Sequence, residues 1–416
     1  MEYLSSRRSS MLSNDPLIIT LEDIKTMHLQ NKMDALECRA ITESSNRKET
    51  YYADDSCPGL EKINNFQRAF FKECLYRDRK TAGFMMEYPH GMVISQGERN
   101  SYYRGENQIF MKSQPSLYRV LDKFESQQDK ELYRFIANMR IAEFGLFLCR
   151  LGIVQFWLKN YGSVLFEPLA QHYGLETEWL DITGDFDVAL FFATCKWADG
   201  RWKPLDEDDI RKHPTGVIFH IPQWQAQLTE SISMLEVSRM ENEVFLNNVI
   251  LPIGYQPFMR CHSQYAYGIH MEIPFPLQED YKFEKLYFPQ SVELSQKVFD
   301  MMDGGKKIYP QEGLDEFQDV IEDIKHATQF SEEAFEYVLQ EKNTTGLSRA
   351  EIIEQLKKRQ ILDVPVEIVG EHHPFKVTRS QIRRLNKKYE GFSIQKKYGI
   401  KLHYRGAFYP TSKGES

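Results

Sequence analysis

The chain has 416 residues, 42% of them hydrophobic and 27% charged, proportions of a globular protein that exclude wholesale disorder. At roughly 100–200 residues per domain it has room for two or three. Lys and Arg number 52 against 60 acids, a net charge of -8, so the whole-protein field does not favour nucleic acid, although a local basic patch stays compatible with it. The six cysteines, Cys38, Cys57, Cys74, Cys149, Cys195 and Cys261, never form a Cys-x-x-Cys pair, which argues against a zinc ribbon and a disulfide framework. No apolar run reaches the ~18–20 residues of a membrane helix. The Met1-Glu2-Tyr3-Leu4 start lacks the basic and apolar regions of a secretory signal, so a cytoplasmic protein is expected.

Residues 1–62 mix polar stretches with weak helical signals and end at Cys57-Pro58-Gly59, the pattern of an arm or small lobe. From Asn64 to Arg79, Phe66, Ala69, Phe70, Cys74 and Leu75 recur at helical spacing and predict a packed helix. Val93-Ile94 and Ser101-Tyr102-Tyr103 read as strands around the turn formers Gln96-Gly97-Glu98. Glu131 to Asn160 is a long helical stretch, apolar on most sides and hence in the core, with Gly145 and Gly152 as points for a kink. A helix through Leu169–Tyr173 is ended by Gly174, and a short extended piece follows at Trp179–Ile182. Phe186, Ala189, Leu190, Ala193 and Trp197 then share one helical face behind an N-cap at Thr183 or Asp185.

Gly216–Ile221 reads as a buried strand closed by Pro222, with further strands near Val249–Ile253 and Tyr265–Glu272. A helix at Val292–Met302 stops at Asp303-Gly304-Gly305. Beyond Pro310, helices alternate with charged turns, including a capping box at Ser348–Glu351 and a strand at Val364–Val369. The boundaries that follow are an arm at 1–62, a core domain at 63–317 and a mainly helical lobe at 318–416 with a late basic segment. Short strands alternating with long apolar helices predict an α+β fold, a small central mixed or antiparallel sheet wrapped by helices.

Two segments carry the chemistry. In Tyr102-Tyr103-Arg104-Gly105-Glu106-Asn107 an arginine ends an aromatic strand just before a glycine. Glycine lets the backbone turn sharply or lie close to a ligand. The guanidinium offers a planar fork of donors suited to phosphate or carboxylate, and a nearby acid is the plainer partner. Tyr404-Arg405-Gly406 repeats the tripeptide near the C-terminus. The second segment runs from Leu169 to Thr183 and into the next helix. It brings a helix end, an extended piece with Asp181 and Thr183, and a helix N-terminus whose N–H groups favour an anion close together. Caps at Thr183 and Asp185, and His172 as a charge at its helix end, are the plainer roles. They leave the crowding of Gln171, His172, Thr177, Asp181 and Thr183 beside an apolar core unexplained.

These segments resemble the FRG domain family. Its Phe/Tyr-Arg-Gly motif is matched by Tyr103-Arg104-Gly105. Its longest signature is matched by Gln171-His172-Tyr173-Gly174, Thr177, Leu180-Asp181, Thr183 and Val188-Ala189-Leu190-Phe191-Phe192-Ala193. Pro115-Ser116-Leu117-Tyr118-Arg119 is similar to another family segment, as are Arg260, Gln264 and Tyr267 downstream. The usual Pro-Thr-Arg is replaced by Glu176-Thr177-Glu178, so an anionic ligand requires Glu178 to point away.

The motif order is similar to that of arginine-class ADP-ribosyltransferases, which implies NAD as the candidate substrate. By that resemblance Tyr103, Arg104, Gly105, His172, Thr177, Asp181, Thr183 and Arg260 bind it. The catalytic set is Arg104 with Gln264 or Glu243 in the late position. That chemistry needs an acceptor for a ribose hydroxyl and for an oxocarbenium-like transition state, which a carboxylate serves better than an amide. The resemblance also implies a bacterial effector in defence or toxin–antitoxin settings. A binding module without chemistry is the alternative.

Three further signals are weaker. Cys261-His262 is read on a strand, where neighbours face opposite ways, which argues against a catalytic pair. His372-His373 lacks Cys partners, so no metal is expected. Thr378 and Gln381 cap a helix whose inner face is Ile382, Leu385 and Tyr389. Arg383, Arg384, Lys387 and Lys388 then face outward, as a solvated surface or a contact for a nucleic-acid backbone.

Overall fold

The computed structural model describes residues 84–88, 91–95, 102–160, 164–221, 249–253, 256–271, 274–280, 283–311, 313–359, 361–362, 364–370 and 375–389. The arm at 1–62, the helix expected at 64–79, the turn at 96–98, Glu243 and His372-His373 lie outside them.

A hairpin of β1 (Phe84–Tyr88) and β2 (Gly91–Ser95) precedes β3 (Tyr102–Glu106). Four helices follow: α1 (Ser116–Leu121), α2 (Gln127–Cys149), α3 (Gly152–Asn160) and α4 (Phe166–His172). Next come β4 (Trp179–Thr183), α5 (Phe186–Thr194), the hairpin β5 (Cys195–Ala198) and β6 (Arg201–Pro204), α6 (Glu207–Lys212) and β7 (Thr215–Ile221). Then β8 (Val249–Pro252), α7 (Met259–Ser263), β9 (Ala266–His270) and β10 (Glu284–Pro289) complete the sheet. Helix α8 (Val292–Met301) leads into α9 (Gln318–Lys325), β11 (Gln329–Phe330), α10 (Glu332–Glu341), α11 (Arg349–Lys358), β12 (Glu367–Ile368) and α12 (Arg379–Lys388).

The central sheet has six strands in the order β10-β7-β3-β4-β9-β8, and every neighbouring pair is antiparallel. The expected α+β architecture is therefore present, with a purely antiparallel sheet. Helix α2 is the hub of the packing. Phe144 and Phe147 enter one apolar cluster, Tyr133 and Ala137 a second, and Phe135 and Met139 a third. A helix so placed must be apolar nearly all round. It runs straight through Gly145, and the break comes at Arg150-Leu151, just before Gly152. The C-terminal helices pack on the same core. Leu385 and Tyr389 join Phe144 and Phe147, and the Tyr389 hydroxyl donates to the Pro257 carbonyl at 2.9 Å.

Three expectations are corrected. Helix α5 stops at Thr194, so Trp197 sits on a strand rather than on the helical face. Asp199 and Gly200 adopt φ of 54° and 71°, the positive pair of a two-residue hairpin turn, which folds the chain back and pairs Trp197 with Trp202. Cys261 and His262 lie on α7, not on a strand, so Arg260 and Gln264 stand one helical turn apart. The strand expected at Val364–Val369 shrinks to Glu367–Ile368, which pairs in parallel with Gln329–Phe330.

Helix α5 lies directly on β3. A Cβ at position 105 would fall 1.7 Å from the Ala189 carbonyl oxygen and 2.8 Å from the Ala193 nitrogen. Gly105 thus sets the helix-to-sheet distance. Overpacking costs about 1–3 kcal/mol where side chains can yield, and backbone cannot yield in this way. Gly105→Ala is expected to lower the free energy of unfolding in urea by an amount at or beyond the top of that range. A midpoint equal to the parent's would show that α5 does not seat on this glycine.

Candidate functional site

The site grows from the junction of β3 and β4, where the ladder holds a single register pair, Tyr103 with Thr183. Arg104 closes the rest of the gap. Its Nη1 donates to the Asp181 carbonyl at 2.7 Å and its Nε to Glu106 Oε1 at 2.8 Å. The other oxygen of the buried Glu106 accepts from Ser113 Oγ at 2.6 Å. Arg104 thus has the nearby acid that was its plainer partner, and it also bridges two strands.

Helix α4 delivers His172. Gly174, at φ 82°, ends the helix in a left-handed cap. Leu175 N–H reaches back to the Ala170 carbonyl at 3.1 Å and Gly174 N–H to that of Gln171 at 3.0 Å. Strand β4 delivers Asp181 and Thr183. The Thr183 hydroxyl donates to the Gln264 carbonyl at 2.7 Å and accepts from Asp185 N–H at 3.0 Å. Asp185 then caps α5 by accepting from Val188 N–H at 3.1 Å.

Helix α7 supplies Arg260 and, just past its end, Gln264. The Arg260 guanidinium lies between the rings of Tyr173 and Tyr309, 4.3 and 4.6 Å from their centroids. Its Nη1 donates to the His172 carbonyl at 2.8 Å.

These elements enclose a cavity of about 480 Å³, a size typical of small-ligand sites. Tyr103, Arg104, Gly105, His172, Asp181, Thr183, Arg260 and Gln264 all line it. Thr177 does not. It is buried behind the wall, where its hydroxyl donates to Gln171 Oε1 at 2.7 Å and accepts from Trp179 N–H at 3.1 Å. Glu176 and Glu178 also stay out of the lining. Glu176 accepts from the Tyr133 hydroxyl at 2.6 Å, and Glu178 lies 3.3 Å from Arg134. Neither of these two carboxylates therefore lines the cavity, whose acidic lining residues are Asp181, Asp315 and Glu322. Burial lowers the basicity of His172, against the pull of the Asp181 carboxylate and with the help of Arg260.

The lining also contains residues that the sequence pattern did not assign to the site. Phe192, Trp197, Trp202 and Tyr309 form an aromatic wall, with Trp202 5.4 Å from Phe192 and 5.6 Å from Tyr309. The buried Trp202 Nε1–H has no hydrogen-bond partner among the described residues, which leaves a donor beside the cavity. The one signal that could have placed the two tryptophans is Asp199-Gly200, the dipeptide of a hairpin turn. A second cavity of about 210 Å³ adjoins the first and shares Arg104, Gly105, Phe192, Trp197 and Trp202 with it. Lys112 and Arg119 line this second space, and burial together with the charge of Arg104 lowers the Arg119 pKa.

The basic helix α12 lies elsewhere. Arg384 is paired with Glu316, and Lys388 is 3.3 Å from the same carboxylate. Together they hold the Glu316 carboxyl below the usual range, mainly through the Arg384 hydrogen bond. Arg383 and Lys387 remain exposed.

Lys at position 104 could reach Glu106 or the Asp181 carbonyl, but not both with a planar fork. A hydrogen bond involving a charged group contributes about 1.5–3 kcal/mol. Arg104→Lys is expected to lose stability of that order in urea unfolding. A loss under about 0.5 kcal/mol would show that the bridge carries little.

Residues 99–201 match the family model of the FRG domain. No curated protein and no solved structure matches the chain.

Proposed function

We propose that this chain, which carries an FRG domain, binds an NAD-like nucleotide in the cavity between β3 and β4. We further propose that it acts on that nucleotide as an ADP-ribosyltransferase or NAD-cleaving enzyme. One observation carries the proposal. Trp197, Trp202 and Tyr309 line the same cavity as Arg104 and Arg260, and Arg260 stacks on the Tyr309 ring. Aromatic faces suit a base or a nicotinamide ring, and guanidinium groups suit phosphate. Arg119 and Lys112 in the adjoining space extend the positive lining in the direction a dinucleotide would need. A bacterial defence or toxin–antitoxin effector is the setting consistent with this activity.

Two experiments test it. Calorimetric titration with NAD is expected to show binding, with a change in tryptophan fluorescence that Trp202→Phe largely removes. Incubation with labelled NAD and protein or nucleic-acid extracts is expected to release nicotinamide or label an acceptor. No heat of binding together with no turnover would overturn the function.

A second reading, a binding module without chemistry, is favoured by Gln264. Its amide is engaged at both ends, with Nε2 donating to the Ile308 carbonyl and Oε1 against His172, each at 3.1 Å. In that case α12 contributes a contact to a nucleic-acid backbone. Of the four cations Arg383, Arg384, Lys387 and Lys388, Glu316 already holds Arg384 and Lys388, which leaves Arg383 and Lys387 to meet phosphates. Replacing both with Ser is expected to reduce the log–log salt slope of oligonucleotide binding by about two. Binding equal to the parent's at several salt concentrations would leave α12 a solvated surface.

A further inference from the structure

Resting on the nucleotide-binding function proposed above, we propose that Asp181 receives the hydroxyls of the second ribose of the bound dinucleotide, the one beyond the pyrophosphate that ADP lacks, with His172 and Gln264 as positioning residues behind it. The chain of contacts begins at the Ile308 carbonyl, which can only accept. It takes Gln264 Nε2–H at 3.1 Å, which fixes the orientation of the amide and turns Oε1 toward His172 Nδ1, also at 3.1 Å. An amide oxygen is an acceptor, so Nδ1 carries the proton.

Among the described residues Nε2 is buried without a hydrogen-bond partner and lies 3.6 Å from Asp181 Oδ1, which is buried and unpartnered in the same way. The Asp181 side chain nevertheless keeps 32% exposure, against 3% for His172. With Oδ1 buried, Oδ2 is the carboxylate oxygen that opens to the cavity. The imidazole edge packs behind it, 3.6 Å from Oδ1, and Gln264 fixes the imidazole in turn.

An ionised carboxylate only accepts. The ligand it fits must bring O–H or N–H donors, which excludes a phosphate at this point and suits a sugar. Gln264 cannot take the role, because both ends of its amide are engaged by the protein. The phosphates have places next door. Arg104 and Arg260 are bonded to the backbone carbonyls of Asp181 and His172 at 2.7 and 2.8 Å. A phosphate on either guanidinium would therefore bring its ribose beside Asp181. The carboxylate expected at position 264 or 243 would be supplied instead from β4.

The test compares ADP-ribose with ADP by calorimetry on the full chain, since ADP lacks the second ribose. ADP-ribose is expected to bind about tenfold or more tightly than ADP, the order of one hydrogen bond to a charged group. In Asp181→Asn, shown to be folded by circular dichroism, that ratio is expected to fall to within about twofold. If this variant does not fold, Asp181→Ser provides the same comparison. The imidazole nitrogen resonances of His172 should shift with ADP-ribose and not with ADP, a response that a merely packed histidine would not give. Equal affinities in the parent, or a ratio that survives the substitution, would overturn the assignment and leave the nucleotide function standing. Binding of neither ligand would overturn both.

Discussion

Arg104 holds the central sheet together where its backbone ladder is thinnest. Between β3 and β4 there is one register pair, whereas β3 with β7 has five and β4 with β9 has five. The guanidinium spans the difference by reaching the Asp181 carbonyl while a buried Glu106 fixes its other edge. A lysine ammonium is a point charge and could not serve two directions with the same rigidity. The cavity exists because the strands are joined by a side chain here instead of by a continuous ladder. Its walls are the elements that lead into and out of β3 and β4.

Close packing on the other side of β3 sets the depth of that space. Gly105 allows α5 to approach until backbone meets backbone. The hairpin that follows α5 then swings Trp197 and Trp202 over the cavity. The two tryptophans stack edge to face at 5.4 Å, and Tyr309 completes the wall. Glycine therefore serves the helix contact as well as the cavity lining, and one missing side chain positions several aromatic ones.

The polar floor follows a different logic. Thr183, Asp185 and Thr177 satisfy backbone groups at a strand end, a helix start and a loop, and Gln171 accepts from the Thr177 hydroxyl. Arg260 is clamped by two rings and the His172 carbonyl. Most of the polar crowding is thus architecture that holds a few groups in place. Among those groups, His172 Nε2, Asp181 Oδ1 and Trp202 Nε1 are buried polar atoms without a hydrogen-bond partner among the described residues. Such atoms are costly to leave unmade in a core, so their grouping beside one cavity is informative.

Much of this was legible in the sequence because it depends on local rules. Apolar periodicity predicted α2 as a core helix. The Gly174 stop, the Asp185 cap of α5 and the capping boxes at Ser348 and Thr378 all appear as read. The strand positions of Arg104, Asp181 and Thr183 were likewise set by local pattern. Tertiary structure decided what local pattern cannot encode. Arg104 bridges residues 77 positions apart, and His172 meets a glutamine 92 positions away. Glu178 turns toward Arg134 because α2 happens to pass there, and Trp197 leaves its helical face because the chain turns extended at Cys195 and pairs with β6. Periodicity reports which side of an element is apolar. Which distant polar group waits opposite is settled only when the sheet closes and burial forces each donor to find an acceptor.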